Sequence, residues 1–322
     1  TAARAPVASC WGTYMTQTKE SNSDRSQNNN HKDHEGEVEM LRVVACIDGS
    51  QAAPAVCDYA AWASKHMETP MMLLHVLDEE RYPAEPDLAG NIGLGSREQL
   101  LEDLAELDRK RAKRALEHGH HMLDEAAKRV SESGINDVVQ RQRHGDLTES
   151  LLALENQTRL LVMGLHGESS SERDTHIGSQ LETVIRSMHR PILLVPDDYT
   201  QPRSAMLAFD GSATAFKGVE LLAGSPVLKG MPLHLVMVGP DTNDRWEQLR
   251  KAEKMLAGLE SEITLAIRAG DVEPALHAYQ EEHDIDILVM GAYGHSRIRQ
   301  FLVGSTTTTM LKTAKKPLVV LR

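Results

Sequence analysis

Short apolar runs alternate with amphipathic stretches along most of this chain. In the first half the runs 41–47, 70–77, 159–164 and 191–195 are dominated by Val, Leu, Ile, Met and Ala, while 136–143, with Val138 and Val139 ahead of Gln140, Arg141, Gln142 and Arg143, reads as a more polar strand. Near-continuous apolar runs of that length predict strands buried on both faces. Between them, 51–66, a long region ahead of 136, 147–156 and 179–188 predict helices. The second half reads in the same way. Strands are predicted at 204–209, 232–238, 262–268, 285–290 and 317–321, and helices at 213–223, 243–258, 272–282 and 305–313. Strand–helix alternation predicts βαβ units and a parallel sheet. The polar stretch 1–40, rich in Ser, Asn, Gln and charge, carries too little apolar surface to fold and is expected to be disordered.

The two halves also match residue by residue. Val43–Ser50 matches Ala205–Ser212, and Leu73–Val76 matches Leu233–Val236. His144-Gly145-Asp146 matches Ala269-Gly270-Asp271, Leu161–Gly167 matches Leu288–Gly294, and Pro191–Val195 matches Pro317–Leu321. Matches in one unbroken order over so long a period imply two copies of one domain, at 41–197 and 203–322. The connection Pro196–Ser204 is short, so the copies are expected to pack on each other. The fold class is α/β: two tandem Rossmann-like domains, each a five-stranded parallel sheet in the order 3-2-1-4-5 with helices on both faces.

Composition narrows the partners. A length of 322 residues fits two domains, and a net charge of −12 disfavours nucleic acid and anionic membranes. No apolar run approaches the ~18 residues of a membrane span, and no secretory core is visible. Cys10, Cys46 and Cys57 form no disulfide pattern. Sparse, odd cysteines fit a reducing compartment, so a cytoplasmic location is expected, with Cys46 and Cys57 as small buried hydrophobes.

Candidate chemistry lies where strands end. The run Ile285–Met290 leads into Gly291-Ala-Tyr-Gly294, and Gly304-Ser305-Thr306 opens a helix. Paired glycines allow close backbone approach, and a helix N-terminus favours an anion such as phosphate. Alternatively, the glycines only turn the chain between strand and helix. The first half repeats the pattern at Gly164, Gly167, Gly178 and Ser179. In the order 3-2-1-4-5 the ligand crevice lies between strands one and four. Asp48 and Asp210, which end strand one, therefore face the glycines across it. Each Asp can accept from ribose hydroxyls, help hold a metal ion, or serve as a turn residue with Ser50 or Ser212 as helix N-cap.

With these residues in view, the chain resembles a tandem universal stress protein of the adenine nucleotide alpha hydrolase-like superfamily, over 41–322. The family's ATP-binding pattern is Gly, two residues, Gly, nine residues, Gly, then Ser or Thr, and Gly291, Gly294, Gly304 and Ser305 fit it. The resemblance implies that Gly291 and Gly294 lie against ribose and phosphates. It places Gly304, Ser305 and Thr306 at the phosphate tail, Asp210 near ribose or metal, and adenine on the backbone of Met237 or Val238. ATP with magnesium is the implied cofactor. The family also pairs domains through their last strands, which implies an intrachain pseudo-dimer of 191–195 beside 317–321, with a further homodimer open.

The first copy departs from the pattern. Ten residues, not nine, separate Gly167 from Gly178, and they carry Glu168, Glu172 and Asp174 against Arg173. The matching segment of the second copy carries Arg297 and Arg299 and no acid. Carboxylates repel a polyphosphate and arginines attract it, so the second copy is expected to bind nucleotide and the first to bind weakly, to bind something less anionic, or to serve structure. Asp48 precedes Gly164 by 116 positions, whereas Asp210 precedes Gly291 by 81. Most of the excess lies between strands two and three, where Pro83–Pro86 and Gly90–Ser96 precede a helix that Ser96 and Gln99 would cap. This reads as a surface excursion, with a lid or partner-binding element as the alternative. His118, His120, His121 and Asp124 read as a solvated face, or as helical metal-ligand pairs. No Ser-His-Asp triad and no pyrophosphatase loop is visible. The expected function is a stress-response regulator or sensor that binds an adenine nucleotide, with at most slow hydrolysis and an unknown protein partner. The alternatives are a nucleotide-independent interaction scaffold and a true ATPase.

Overall fold

A computed structural model describes residues 40–78, 96–167, 179–291 and 305–321. The polar stretch 1–39, the excursion 79–95, and the loops 168–178 and 292–304 lie outside the described residues.

Residues 41–322 form one unit built on a ten-stranded sheet. The first half supplies β1 (Arg42–Cys46), α1 (Ala53–His66), β2 (Met71–Leu77), α2 (Ser96–Glu132), β3 (Val138–His144), α3 (Leu147–Leu152), β4 (Thr158–Gly164), α4 (Ser179–Ser187) and β5 (Ile192–Val195). The second supplies β6 (Ala205–Ala208), α5 (Ala213–Ala223), β7 (Leu233–Val238), α6 (Asn243–Met255), β8 (Ile263–Arg268), α7 (Val272–Glu282), β9 (Ile287–Gly291), α8 (Ser305–Thr313) and β10 (Leu318–Leu321). The strand order is β3-β2-β1-β4-β5-β10-β9-β6-β7-β8, which is the expected 3-2-1-4-5 read twice, inward from each outer edge to the middle. Every pairing is parallel except the central one, where β10 runs antiparallel to β5 with Leu193 opposite Val319.

Alternation along the strands fills both faces. Val43, Ala45, Leu193, Leu207 and Val319 point into one core, which α1, α2, α5 and α6 cover. Val44, Leu194, Met206, Leu288 and Val320 point into the other, which α3, α4, α7 and α8 cover. Both cores run unbroken across the β5–β10 seam, so the two halves share their interior. The connection between halves is pinned as well. Tyr199 packs edge-on against Tyr59 at 4.8 Å, the Thr200 N–H donates to the Tyr59 hydroxyl, and the Arg203 N–H donates to Asp286 Oδ2 at 2.8 Å.

The expected helix start at 51 is displaced. Pro54 sits in the first turn of α1, whose N-cap is Ala52 with no side-chain hydrogen bond. A helix capped by Ser50 would put Pro54 at its fourth position, where the ring collides with a carbonyl one turn back. Pro is tolerated only at the start of a helix, so the start moves to the proline. In the second half no proline intervenes, and Ser212 caps α5 by accepting from the Ala215 N–H at 3.0 Å.

Helix α2 is the largest asymmetry. Its C-terminal part buries Leu123, Ala126 and Val130 against β2 and α1. Gly119 marks where the helix meets the body: a Cβ there would lie 2.5 Å from Gln142 Nε2 and 2.6 Å from the His75 ring. Side chains from Asp108 to His118 are exposed or only half-buried, so this stretch extends past the core.

Candidate functional site

The carboxyl ends of β1 and β4, and of β6 and β9, form the two expected crevices, because these strands are neighbours in the sheet. In each half an Asp follows strand one and folds into a short turn. Asp48 Oδ1 accepts from the Ser50 N–H at 3.1 Å and from the Ser50 hydroxyl. Asp210 Oδ1 accepts from the Ser212 N–H at 2.9 Å. The turn reading is therefore realised at both aspartates. Ser50 is not the expected helix cap, since its hydroxyl is spent on Asp48, while Ser212 is one.

Beyond this shared turn the crevices differ. In the first half Gly164 is closely packed. A Cβ on it would stand 2.9 Å from the Ala52 Cβ and 3.0 Å from the His166 carbonyl oxygen. Gly167 lies over Asp48, with its would-be Cβ 3.7 Å from Asp48 Oδ2. The Asp and the glycine pair do face each other, and the chain closes on that carboxylate. Cys46 ends β1 beside it, and burial, aided by Asp48, pushes its thiol up to about 12. Cys57, buried in α1, is likewise pushed up to about 12 by that burial, whereas Cys46 is half-buried and not the fully buried hydrophobe expected.

In the second half Gly291 ends β9 with open space beside it: among the described residues nothing lies within 4 Å of where its Cβ would stand. Asp210 is exposed. The Thr307 hydroxyl, in the first turn of α8, donates to the Gly291 carbonyl at 3.5 Å and ties the helix start to the strand end. Ser305 and Thr306 open α8, whose first turn holds no acid, whereas Ser179 opens α4, whose first turn holds Glu182. A carboxylate there occupies the helix's positive end, and its absence leaves that end to other anions. Gly178, Gly294 and Gly304 lie outside the described residues.

Two side chains of α6 lie beside this crevice, at the carboxyl ends of β6 and β7, and neither was expected from the sequence. Arg245 Nη1 donates to the Val238 carbonyl at 3.0 Å, and its guanidinium rests where a Cβ on Gly239 would be. Gln248 lies against Gly211 in the same manner, its Oε1 2.2 Å from the would-be Cβ. Gly239 and Gly211 take φ of +142° and +74°, the left-handed half of the map that glycine tolerates. The signal was available in part: Arg245 and Gln248 are three apart on the helix after strand two, hence on one face. Met237, the other expected backbone contact, buries its side chain in the core.

The His118–Asp124 cluster is a solvated face. All four side chains are exposed, and His120 Nδ1 lies 2.8 Å from its own helix's Leu116 carbonyl. Among the described residues no group of three His, Cys, Asp or Glu is placed to hold a metal, and no helix is long and apolar enough to cross a membrane.

Comparison with known proteins agrees with this architecture. A model of the Universal stress protein family matches residues 40–196 and 203–322. Universal stress protein Slr1230 of Synechocystis sp. is 35% identical over 289 residues, covering 88% of this chain and 100% of that protein. Universal stress protein Rv2623 of Mycobacterium tuberculosis is 21% identical over 307 residues, covering 88% and 96%. Among solved structures, a universal stress protein from Archaeoglobus fulgidus superposes with a TM-score of 0.64 at 20% identity, over 87% of this chain and 96% of its own.

Proposed function

The chain belongs to the universal stress protein family, and from that premise we propose that its second half binds an adenine nucleotide, ATP in the first place, as a stress-response sensor or regulator. The observation that carries the reading is Gly291. A strand-end glycine with free space beside it, facing an exposed Asp210, has no packing reason of its own among the described residues. Its missing side chain is room for a ligand. The acid-free first turn of α8, at Ser305 and Thr306, supplies amides for a phosphate tail. Arg297 and Arg299 in the intervening segment add charge of the right sign. Asp210 would hold the magnesium that accompanies the nucleotide, jointly with phosphate oxygens, and that ion would neutralise charge on the tail. Arg245 would meet the adenine side, since it already holds the Val238 carbonyl. Among the described residues nothing is placed as a general base, and the nucleotide would act by favouring one conformation, with slow turnover at most.

The first half supports a different role. Gly164 is filled by its own neighbours, Gly167 covers Asp48, and Glu182 sits at the helix start. We assign this half to structure or protein contacts.

Calorimetric titration of ATP and magnesium into the full, nucleotide-free chain tests the reading. One site per chain is expected, abolished by Gly291→Glu and retained by Gly167→Glu. A chain that binds no adenine nucleotide would instead be the interaction scaffold.

A further inference from the structure

The N-terminal part of α2 is a helix without a described core beneath it. From 96 to 118 it spans roughly 35 Å at about 1.5 Å per residue. Helices this long owe most of their stability to a packed face, and alone in water they are marginal. Leu104 and Leu107 are 47% and 51% exposed, and Leu116 is 39% exposed. Leu104, Asp108, Ala112, Ala115 and Leu116 fall on the helical face that, farther along, carries the buried Leu123, Ala126 and Val130. The apolar stripe thus continues after the core that it served has ended.

Charge along the same stretch is segregated. Glu98, Glu102, Asp103, Glu106 and Asp108 form an acidic block, and Arg109, Lys110, Arg111, Lys113 and Arg114 follow as a basic one. Within one helix only local pairs form across that boundary, such as Lys110–Glu106 at 2.7 Å and Arg111–Asp108 at 3.7 Å. Two such helices side by side and antiparallel bring each acidic block onto the other's basic block. With the two-fold axis beside Asp108, positions 102 and 106 meet 114 and 110, and Leu104 meets Ala112. That pair sets a large residue on a small one, position 100 meets Leu116, and Asp108 alone on the stripe meets its own copy, a like-charge contact at the axis. A parallel pair would instead set acid on acid and base on base.

The geometry points to a homodimer in which this part of α2 packs antiparallel on the same segment of a second chain. The strands through which two such domains commonly meet, β5 and β10, are already paired inside one chain. Association between chains therefore needs another surface, and a self-complementary helix gives a closed two-fold contact. Nothing in this contact depends on nucleotide binding.

Sedimentation equilibrium of the full chain over roughly 1–100 µM, the range suited to an interface below about 1,200 Å², tests it. The mass should rise from the 35.6 kDa of one chain toward twice that, and added salt should lower it. Leu104→Lys should weaken association by about tenfold or more while melting with the parent, because a charge replaces an apolar contact outside the core. Glu102→Lys with Glu106→Lys, and separately Lys110→Glu with Arg114→Glu, should each impair self-association. An equimolar mixture of those two proteins should recover it, an outcome that damage to the helix alone cannot produce. A parent that stays monomeric, a dimer indifferent to Leu104→Lys, or a mixture that fails to recover would each overturn the assignment.

Discussion

The two crevices carry the same letters, Asp-Gly-Ser after strand one and a glycine pair after strand four, yet they differ in physical state. In the first half, Ala52 and the His166 carbonyl crowd Gly164, and Gly167 covers Asp48. In the second half, Gly291 is open among the described residues and Asp210 is exposed. One source of the difference can be followed down to a single residue. Pro54 forbids a helix capped at Ser50, so α1 starts later than α5 does, and Ala52 in the resulting turn comes to lie against Gly164. A motif therefore describes a backbone path, and the neighbours decide whether the path encloses space or fills it.

The comparison rests on a frame that holds both halves to one sheet, and breaking that frame should have the largest effect. Val319 and Leu193 face each other across the antiparallel seam, 1% and 0% exposed. Val319→Asp would bury a carboxylate without a partner, at a cost of about 3–5 kcal/mol. Urea unfolding should shift to a much lower midpoint and separate into two transitions, as the halves lose the core they share. A variant with the parent's single midpoint would mean that the seam contributes little to the union of the halves.

A smaller effect sharpens the contrast itself. Gly164→Ala places a methyl group against a neighbouring Cβ and a backbone oxygen, and neither can withdraw cheaply. Overpacking of this kind costs about 1–3 kcal/mol. Gly291→Ala meets no described residue and a normal backbone angle, so stability should match the parent within about 0.5 kcal/mol. The expected order reverses for ATP affinity, which Gly291→Ala should weaken and Gly164→Ala should spare. Equal destabilisation by both would show that the two glycines do the same packing work.

Much of the frame was legible in the sequence. The helices 213–223, 272–282 and 305–313 were read to the residue. Two of the three begin just after an Asp or Ser that leaves the chain extended and ready to turn, Ser212 before α5 and Asp271 before α7. The ends of the inner strands were legible because buried strands are apolar and stop where polarity returns, whereas the edge strands β3 and β8 are partly polar and half-buried. Residues 243–258 were read as one helix but end in a separate 3-10 turn at 256–259, which closes where Glu260 takes a left-handed φ of 54°. Residues 147–156 likewise divide into α3 and a 3-10 turn at 155–157. At the site, Asp48, Asp210, Gly164 and Gly291 were placed by topology alone. Arg245 and Gln248 were not, because their contacts depend on how α6 tilts across β7, which no local pattern encodes. Gly119 was also missed, although a glycine inside a helix costs about 1 kcal/mol and usually marks a close approach.

The smallest expected effect again separates the halves. Leu233 pairs with Ala205 as Met71 pairs with Val43, so His234 stands where the first half has Met72, and the sequence match of Leu73–Val76 with Leu233–Val236 is two positions out of register. His234 Nδ1 lies 2.8 Å from the Tyr279 hydroxyl, with the His283 ring 5.2 Å away. Burial, and then the neighbouring His283, hold its pKa below the ordinary 6.5, with Glu262 pulling in the opposite direction. A base with a depressed folded pKa binds fewer protons folded than unfolded, so stability rises with pH. The contribution is complete above the ordinary histidine pKa and is lost as pH falls through 6.5 toward the folded value. His234→Met should therefore lose less of its denaturation midpoint between pH 7.5 and pH 5 than the parent does. The two proteins would converge at the acid end, where the parent must charge a half-buried ring. An identical pH loss in both would relocate the acid sensitivity to other histidines and remove this difference between the halves.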